Sequence, residues 1–135
     1  MSDEPVDRSA ENPHKIHTGW RRVVHATRHS ARGLRDAWKF ESAFRQEIAL
    51  FLLVLPLGAW LGRNWVERVL LIGTVMLVLI VELLNSAVES TVDRVSLDHH
   101  ELSRRAKDLG SAAVMVSLLL CGAVWTSAAW VRFTA

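Results

Sequence analysis

Glu82, Asn85, Glu89 and Asp93 follow thirteen residues, Val69 to Val81, that carry no charge. At about 100° per helical residue, Asn85 falls about 60° from Glu82, Glu89 about 20°, and Asp93 about 20° on the other side, so one stripe carries all four. With a rise of about 1.5 Å per residue, the stripe runs about 16 Å. A charged stripe is usually a solvated face. This one opens directly out of an apolar run, where solvation is hard to arrange, and ionisable groups at membrane depth are functional-site candidates. The chemistry they suit changes along the stripe. Glu82, the deepest, loses the hydration that stabilises its charge and suits a general base. Glu89 lies about 10 Å further along and suits a hydrated divalent cation, which prefers hard carboxylate oxygens. Asn85, one turn from both, can orient either. Glu41 and Glu47 open the preceding apolar segment, so metal ligands from two helices can converge.

A second polar group follows Asp93. Lys107 and Asp108 stand at the mouth of the last apolar run, ahead of Gly110 and Ser111. A lysine there is placed to meet phosphate, with Asp108 expected to fix its position. His99 and His100 are adjacent, so on a helix they point about 100° apart and lack the i, i+4 spacing of a zinc motif. They read as loop or nucleotide-edge residues. The chain has no Walker A sequence, G-x-G-x-x-G, G-x-S-x-G or HExxH, so any nucleotide is held by side chains alone.

Three apolar blocks must position these groups: Ile48 to Gly62, Val69 to Val81 and Leu109 to Val131 are uncharged. The third meets by itself the ~20 residues needed to cross a ~30 Å hydrocarbon core. The first two do so only if they extend through charged residues, giving predicted spans of about 43–62, 67–90 and 109–131. A soluble bundle is disfavoured because three such runs leave almost no polar face. A cleaved signal peptide is disfavoured because the first 47 residues are polar.

Lys and Arg number nine before the first block, two in the first loop (Arg63, Arg68), four in the second (Arg94, Arg104, Arg105, Lys107) and one after the third block (Arg132). The positive-inside rule therefore predicts a cytoplasmic N-terminus and second loop, with the C-terminus outside. Trp60, Trp65 and Trp130 fall near the outer ends, where indole rings are favoured. Ahead of the spans, Trp20, Val23, Val24, Thr27, Ala31, Leu34 and Trp38 recur at helical spacing. Arg21, Arg22, Arg28, Arg32 and Arg35 lie largely off that stripe. This predicts an amphipathic basic helix over about 20–39, lying on a membrane surface. Residues 1–15 show no periodicity and read as a disordered leader to a single domain over 16–135.

With 135 residues, one core is the limit. Sixteen basic against fourteen acidic residues leave a formal +2, too small a surplus for a nucleic-acid binder. The single cysteine, Cys121, sits in an apolar run and reads as a structural thiol, with no intramolecular disulfide available.

The segments Ala43-Phe44-Arg45-Gln46-Glu47, Val81-Glu82-Leu83-Leu84-Asn85-Ser86-Ala87-Val88-Glu89, Val92-Asp93-Arg94, Glu101-Leu102-Ser103 and Arg105-Ala106-Lys107-Asp108-Leu109-Gly110-Ser111-Ala112-Ala113 closely resemble the prokaryotic integral-membrane diacylglycerol kinases, from about Trp20 to Trp130. The resemblance implies an all-α membrane protein with an N-terminal surface helix and three transmembrane helices, assembled as a homotrimer with sites shared between protomers. It implies transfer of the γ-phosphoryl of magnesium-ATP to the sn-3 hydroxyl of diacylglycerol, giving phosphatidic acid, at the bacterial inner membrane. No nucleic acid is implied. By the family's motif Glu82 is the general base, with Asn85 and Lys107 beside it in catalysis, and Glu41 and Glu89 are the Mg2+ carboxylates. The ATP site takes Arg22, His29, Glu41, Glu89, Asp98, His99, His100, Lys107 and Asp108, with Asp93 among its polar residues. The lipid site takes Arg22, Glu47, Glu82 and Ser111.

Three positions depart from the family's pattern. His29 and His99 stand where tyrosines are expected, and Arg104 replaces a glycine. An imidazole can still stack on a purine, so ATP use survives, whereas base selectivity is open. Rival expectations are an undecaprenol kinase of the same family and, from a different class, a small proton-coupled transporter. The latter needs four spans and a glutamate in its first, against three here with Glu82 in the second. A noncatalytic assembly subunit leaves the acidic stripe unexplained.

Overall fold

The computed structural model describes residues 20–95 and 100–134. Four helices follow in order: α1 (Trp20–Phe40), α2 (Ser42–Leu61), α3 (Trp65–Val95) and α4 (Glu101–Thr134), with no strand among the described residues. The all-α expectation holds. The expected leader, 1–15, lies outside the described residues. The chain divides into two compact units, Met1–Arg35 and Asp36–Ala135. Helix α1 is strongly amphipathic; its part in the first unit presents Trp20, Val23 and Leu34 to the outside, and its last residues, from Asp36, belong to the second unit.

The second unit holds α2, α3 and α4, each long and apolar enough to cross a membrane. Their large apolar side chains stay mostly exposed, for example Leu52, Leu53, Met115, Val116 and Leu119. A water-soluble protein would bury such residues, while lipid tails solvate them at no cost. The buried residues form a thin seam. On α3 it runs Leu71, Val75, Val78, Leu79 and Glu82, steps of four, three, one and three residues that keep to one face. Leu79 joins Ala37 and Phe44, with Ile48, Phe51 and Leu83 packed around them.

Local chemistry sets the helix ends. Glu41 is a one-residue break with φ −101° and ψ 110°. Its N–H donates to Ala37 O at 2.9 Å, and its carbonyl accepts from Arg45 N–H at 3.4 Å. The Arg45 guanidinium donates to Trp38 O (3.0 Å) and Lys39 O (3.4 Å), satisfying carbonyls that the end of α1 leaves without helical partners. At the other turn, Asn64 and Glu67 form a reciprocal cap on α3. Glu67 N–H donates to Asn64 Oδ1 at 3.0 Å, and Asn64 Nδ2 donates to Glu67 Oε1 at 2.9 Å. Glu67 Oε2 also accepts from Arg63 N–H at 2.7 Å. Gly62 has no room for a side chain, because a Cβ there would meet the Arg68 backbone nitrogen at 2.9 Å.

Near this turn the helices lock together. Trp125 Nε1 on α4 donates to Leu71 O on α3 at 3.1 Å. Its ring fills the notch left by Gly58 on α2, where a Cβ would lie 3.2 Å from the indole. Beyond it, Trp60 sits 6.3 Å from the Phe133 ring and 5.4 Å beneath the Arg132 guanidinium, so the end of α4 is tied to the end of α2.

Candidate active site

The seam that buries Leu71 to Leu79 continues into Glu82, which is only 8% exposed. A carboxylate thus occupies the place of a core aliphatic, as the stripe geometry predicts. One turn on, Asn85 Nδ2 donates to Glu89 Oε1 at 3.1 Å, so the asparagine orients the glutamate. Glu82 is within electrostatic reach of Glu89 and Glu41, and Glu47 is within reach of Glu82. Glu41, Glu47, Glu82 and Glu89 therefore form one acidic group drawn from the start of α2 and the middle of α3. Within it, Glu47 Oε2 is buried with no hydrogen-bond partner among the described residues, and Asn85 Oδ1 shares that condition. Buried polar atoms are nearly always paired, so these two atoms stand out as exceptions within one polar cluster.

Lys107 reaches this group by a route that sequence adjacency does not predict. Its Nζ pairs with Asp93 Oδ1 at 2.7 Å across the α3–α4 interface. Asp108 does not hold it. The Asp108 carboxylate pairs with Arg104, which also pairs with Glu101, all on the exposed face of α4. Successive helical residues diverge by about 100°, whereas i, i+3 and i, i+4 residues are neighbours. Lys107 and Asp108 therefore face different ways, and the spacing of Glu101, Arg104 and Asp108 was the available signal.

His100 has a structural role at the start of α4. Its Nδ1 accepts from Leu102 N–H at 3.2 Å and its carbonyl accepts from Arg104 N–H at 3.0 Å. Asp98 and His99 lie outside the described residues. Ser111 is exposed on α4 next to Gly110. Arg22 and His29 are exposed on α1 in the first unit.

Two features of the site had no sequence signal. One is the Asp93–Lys107 pairing, the other a contact at Gly110, where a Cβ would collide with Asn85 Oδ1. Both depend on how closely α3 and α4 approach, which helical periodicity does not encode.

Among the described residues no three His, Cys, Asp or Glu side chains converge as a ready cation cage. The donor set still fits magnesium, which typically takes one or two carboxylates and completes its octahedron with water and substrate phosphates. Glu41 stands at the N-cap of α2 yet makes no side-chain capping bond. Glu89 is already oriented by Asn85. These two carboxylates are the ones that the family resemblance assigns to the metal.

Known proteins match the chain over most of its length. Residues 28–129 match the prokaryotic diacylglycerol kinase family. The chain is 48% identical over 116 residues to the diacylglycerol kinase of Escherichia coli strain K12, covering 86% of this chain and 95% of that protein. It is 47% identical over 108 residues to the diacylglycerol kinase of Haemophilus influenzae, covering 80% and 92%. For the diacylglycerol kinase of Pseudomonas aeruginosa the figures are 46% over 116 residues, covering 86% and 94%.

Proposed function

The chain belongs to the prokaryotic diacylglycerol kinase family, and from that premise we propose the following assignment of its residues to the phosphorylation of diacylglycerol by ATP. The observation that carries it is Glu82, a buried carboxylate on the apolar seam of α3, continuous with a polar strip that ends on the Asp93–Lys107 pair. A base at that depth meets an acceptor that stays in the bilayer, while the strip leads out to water and nucleotide.

In the reaction, the diacylglycerol sn-3 hydroxyl oxygen forms a bond to the γ-phosphorus of ATP. The bond from that phosphorus to the β–γ bridging oxygen breaks, ADP leaves, and the hydroxyl proton passes to Glu82. Positioning and charge neutralisation do most of the work in such transfers. Lys107 offsets charge on the phosphates, and Asp93 holds its ammonium in place. Glu41 and Glu89 would hold Mg2+, which when bound neutralises and aligns the phosphate oxygens. Asn85 keeps Glu89 turned for that task. By resemblance to the family, Asp98, His99, His100, Asp108, Arg22 and His29 are assigned to the nucleotide, and Glu47, Arg22 and Ser111 to the lipid.

The protein works at the bacterial inner membrane, with the N-terminus cytoplasmic and the C-terminus periplasmic, as the loop charges support. It assembles as a homotrimer with sites shared between protomers, because a chain this small does not enclose two substrates alone. Mixing inactive Glu82→Gln and Lys107→Ala proteins should restore activity if those residues serve one site from different chains. Demonstrated mixed trimers with no activity would count against sharing.

The deciding assay is ATP-dependent phosphorylation of diacylglycerol and undecaprenol, side by side, by purified protein in mixed micelles. Preference for diacylglycerol is expected. Preference for undecaprenol would transfer the assignment to that lipid, and labelling of neither would overturn it.

A further inference from the structure

Two observations meet on one atom. Asn85 Oδ1 is shielded from solvent with no hydrogen-bond partner among the described residues, and it lies where the Cβ of any larger residue at position 110 would have to go. The hydrogen that glycine carries in place of a Cβ therefore points at the Asn85 oxygen, a close approach that only glycine permits. The other end of the same carboxamide donates to Glu89 Oε1 at 3.1 Å. Reversing the amide would set its oxygen against the Glu89 carboxylate, where neither group can donate. Rotating the side chain out to solvent would hydrate the oxygen and break the bond to Glu89.

We propose that Gly110 is a positioning residue for phosphoryl transfer: its missing Cβ forms a seat on α4 for the Asn85 oxygen, and the seated carboxamide turns its NH2 group to Glu89. This rests on the assignment of Glu89 to the magnesium-ATP side of the site. Gly110 lies one helical turn beyond Lys107, so the seat and the Asp93–Lys107 pair are two ties between α3 and α4. One sets the metal-side carboxylate and the other sets the phosphate-side cation.

The test compares Gly110→Ala with Gly122→Ala in the full-length protein. Gly122 is also on α4, and a Cβ there would have nothing within 4 Å, so it controls for the general effect of replacing a helical glycine. Gly122→Ala should keep wild-type kinetics. Gly110→Ala should raise the KM for magnesium-ATP and the magnesium requirement by about 10- to 100-fold, the usual cost of disturbing a residue that orients a metal ligand. The KM for diacylglycerol should stay unchanged. Thermal inactivation of Gly110→Ala, Asn85→Ala and the double variant supplies a second readout. The loss caused by Gly110→Ala should vanish in the Asn85→Ala background, where no oxygen remains to collide.

Wild-type magnesium dependence in Gly110→Ala would overturn the proposal, as would an equal thermal loss in both backgrounds. If Gly110→Ala does not fold, a folded double variant supports the seat and an unfolded one overturns it. A wild-type protein that phosphorylates no lipid would instead sink the functional reading, and the thermal cycle would still decide the seat by itself.

Discussion

The α3–α4 pair is tied at both ends by a side chain packed against a glycine, Gly58 of α2 at one end and Gly110 of α4 at the other, and the two joints are built to different rules. At one end Trp125 fills the space beside Gly58, and its Nε1–H is satisfied by Leu71 O. At the other end Asn85 fills the space beside Gly110, and its Oδ1 is left without a partner among the described residues. The first joint is a saturated contact on the apolar seam of Leu71, Val75 and Val78. Its neighbouring turn is equally complete, with both oxygens of Glu67 occupied. The second joint sits among carboxylates that the fold gathers at the cost of desolvation. One end is a scaffold whose polar groups, Trp125 Nε1 and the Glu67 oxygens, are paired within the fold. The other leaves a buried oxygen without a hydrogen-bond partner among the described residues.

That division can be broken most sharply at Glu82. Glu82→Gln keeps size and hydrogen-bonding reach while removing the proton acceptor, so kcat should fall about 10²- to 10⁴-fold with little change in the KM for magnesium-ATP. Resistance to thermal inactivation should hold or rise, since a neutral amide is easier to keep near hydrocarbon than a carboxylate. Near wild-type turnover would remove the base assignment.

A smaller loss is expected from Glu89→Gln. Magnesium-ATP use should weaken by about 10- to 100-fold, and raised magnesium should recover part of it. Titration with no recovery would place Glu89 outside the metal's reach.

At the scaffold end, Trp125→Phe removes one donor and keeps an aromatic ring. Stability in denaturant should drop by about 1 kcal/mol, with kcat per folded protein unchanged. A fall in kcat would show that the two ends are not separable.

The smallest effect belongs to Arg104→Ala. Its partners are exposed, and such pairs are screened by salt. Only the salt dependence of the KM for ATP should move, and a loss as large as that of Glu89→Gln would bring Arg104 into the catalytic machinery.

Much of the architecture was legible because hydrocarbon imposes its own arithmetic. The uncharged runs at Ile48–Gly62, Val69–Val81 and Leu109–Val131 each fall on a helix, with Gly62 as the C-cap of the first. The helices outrun those blocks, since α3 continues to Val95 and α4 already begins at Glu101. Helical hydrogen bonding does not require apolar side chains, and the Glu101–Arg104–Asp108 pairs line the polar extension. The acidic stripe was legible for the same reason, as the phase of a helix is fixed by sequence. What crosses between helices was not. Adjacency in the chain points to Asp108 as the partner of Lys107, but adjacency separates side chains on a helix, and Asp93 takes the lysine instead. His100 reads as a nucleotide contact and also closes the start of α4. The Trp125 and Gly110 contacts needed the crossing of the helices to be known, and nothing in a single chain's spacing supplies that.

The length of α3 has a further consequence. Its 31 residues extend about 46 Å, against about 30 Å of hydrocarbon, while the 20 residues of α2 match that thickness at about 30 Å. Taking Trp65 as the level of one interface, as the aromatic belt predicts, Glu82 stands about 26 Å along the axis, just inside the opposite boundary. Its wetting is then governed by the lipid host. In a bilayer of short acyl chains the boundary retreats past Glu82 and admits water. In a bilayer of long chains the boundary advances past Asn85, itself about 30 Å along the axis, and the carboxylate is sealed in. Turnover measured across hosts of graded acyl length should therefore pass through an optimum, with the membrane itself acting as a dial on the hydration of one glutamate.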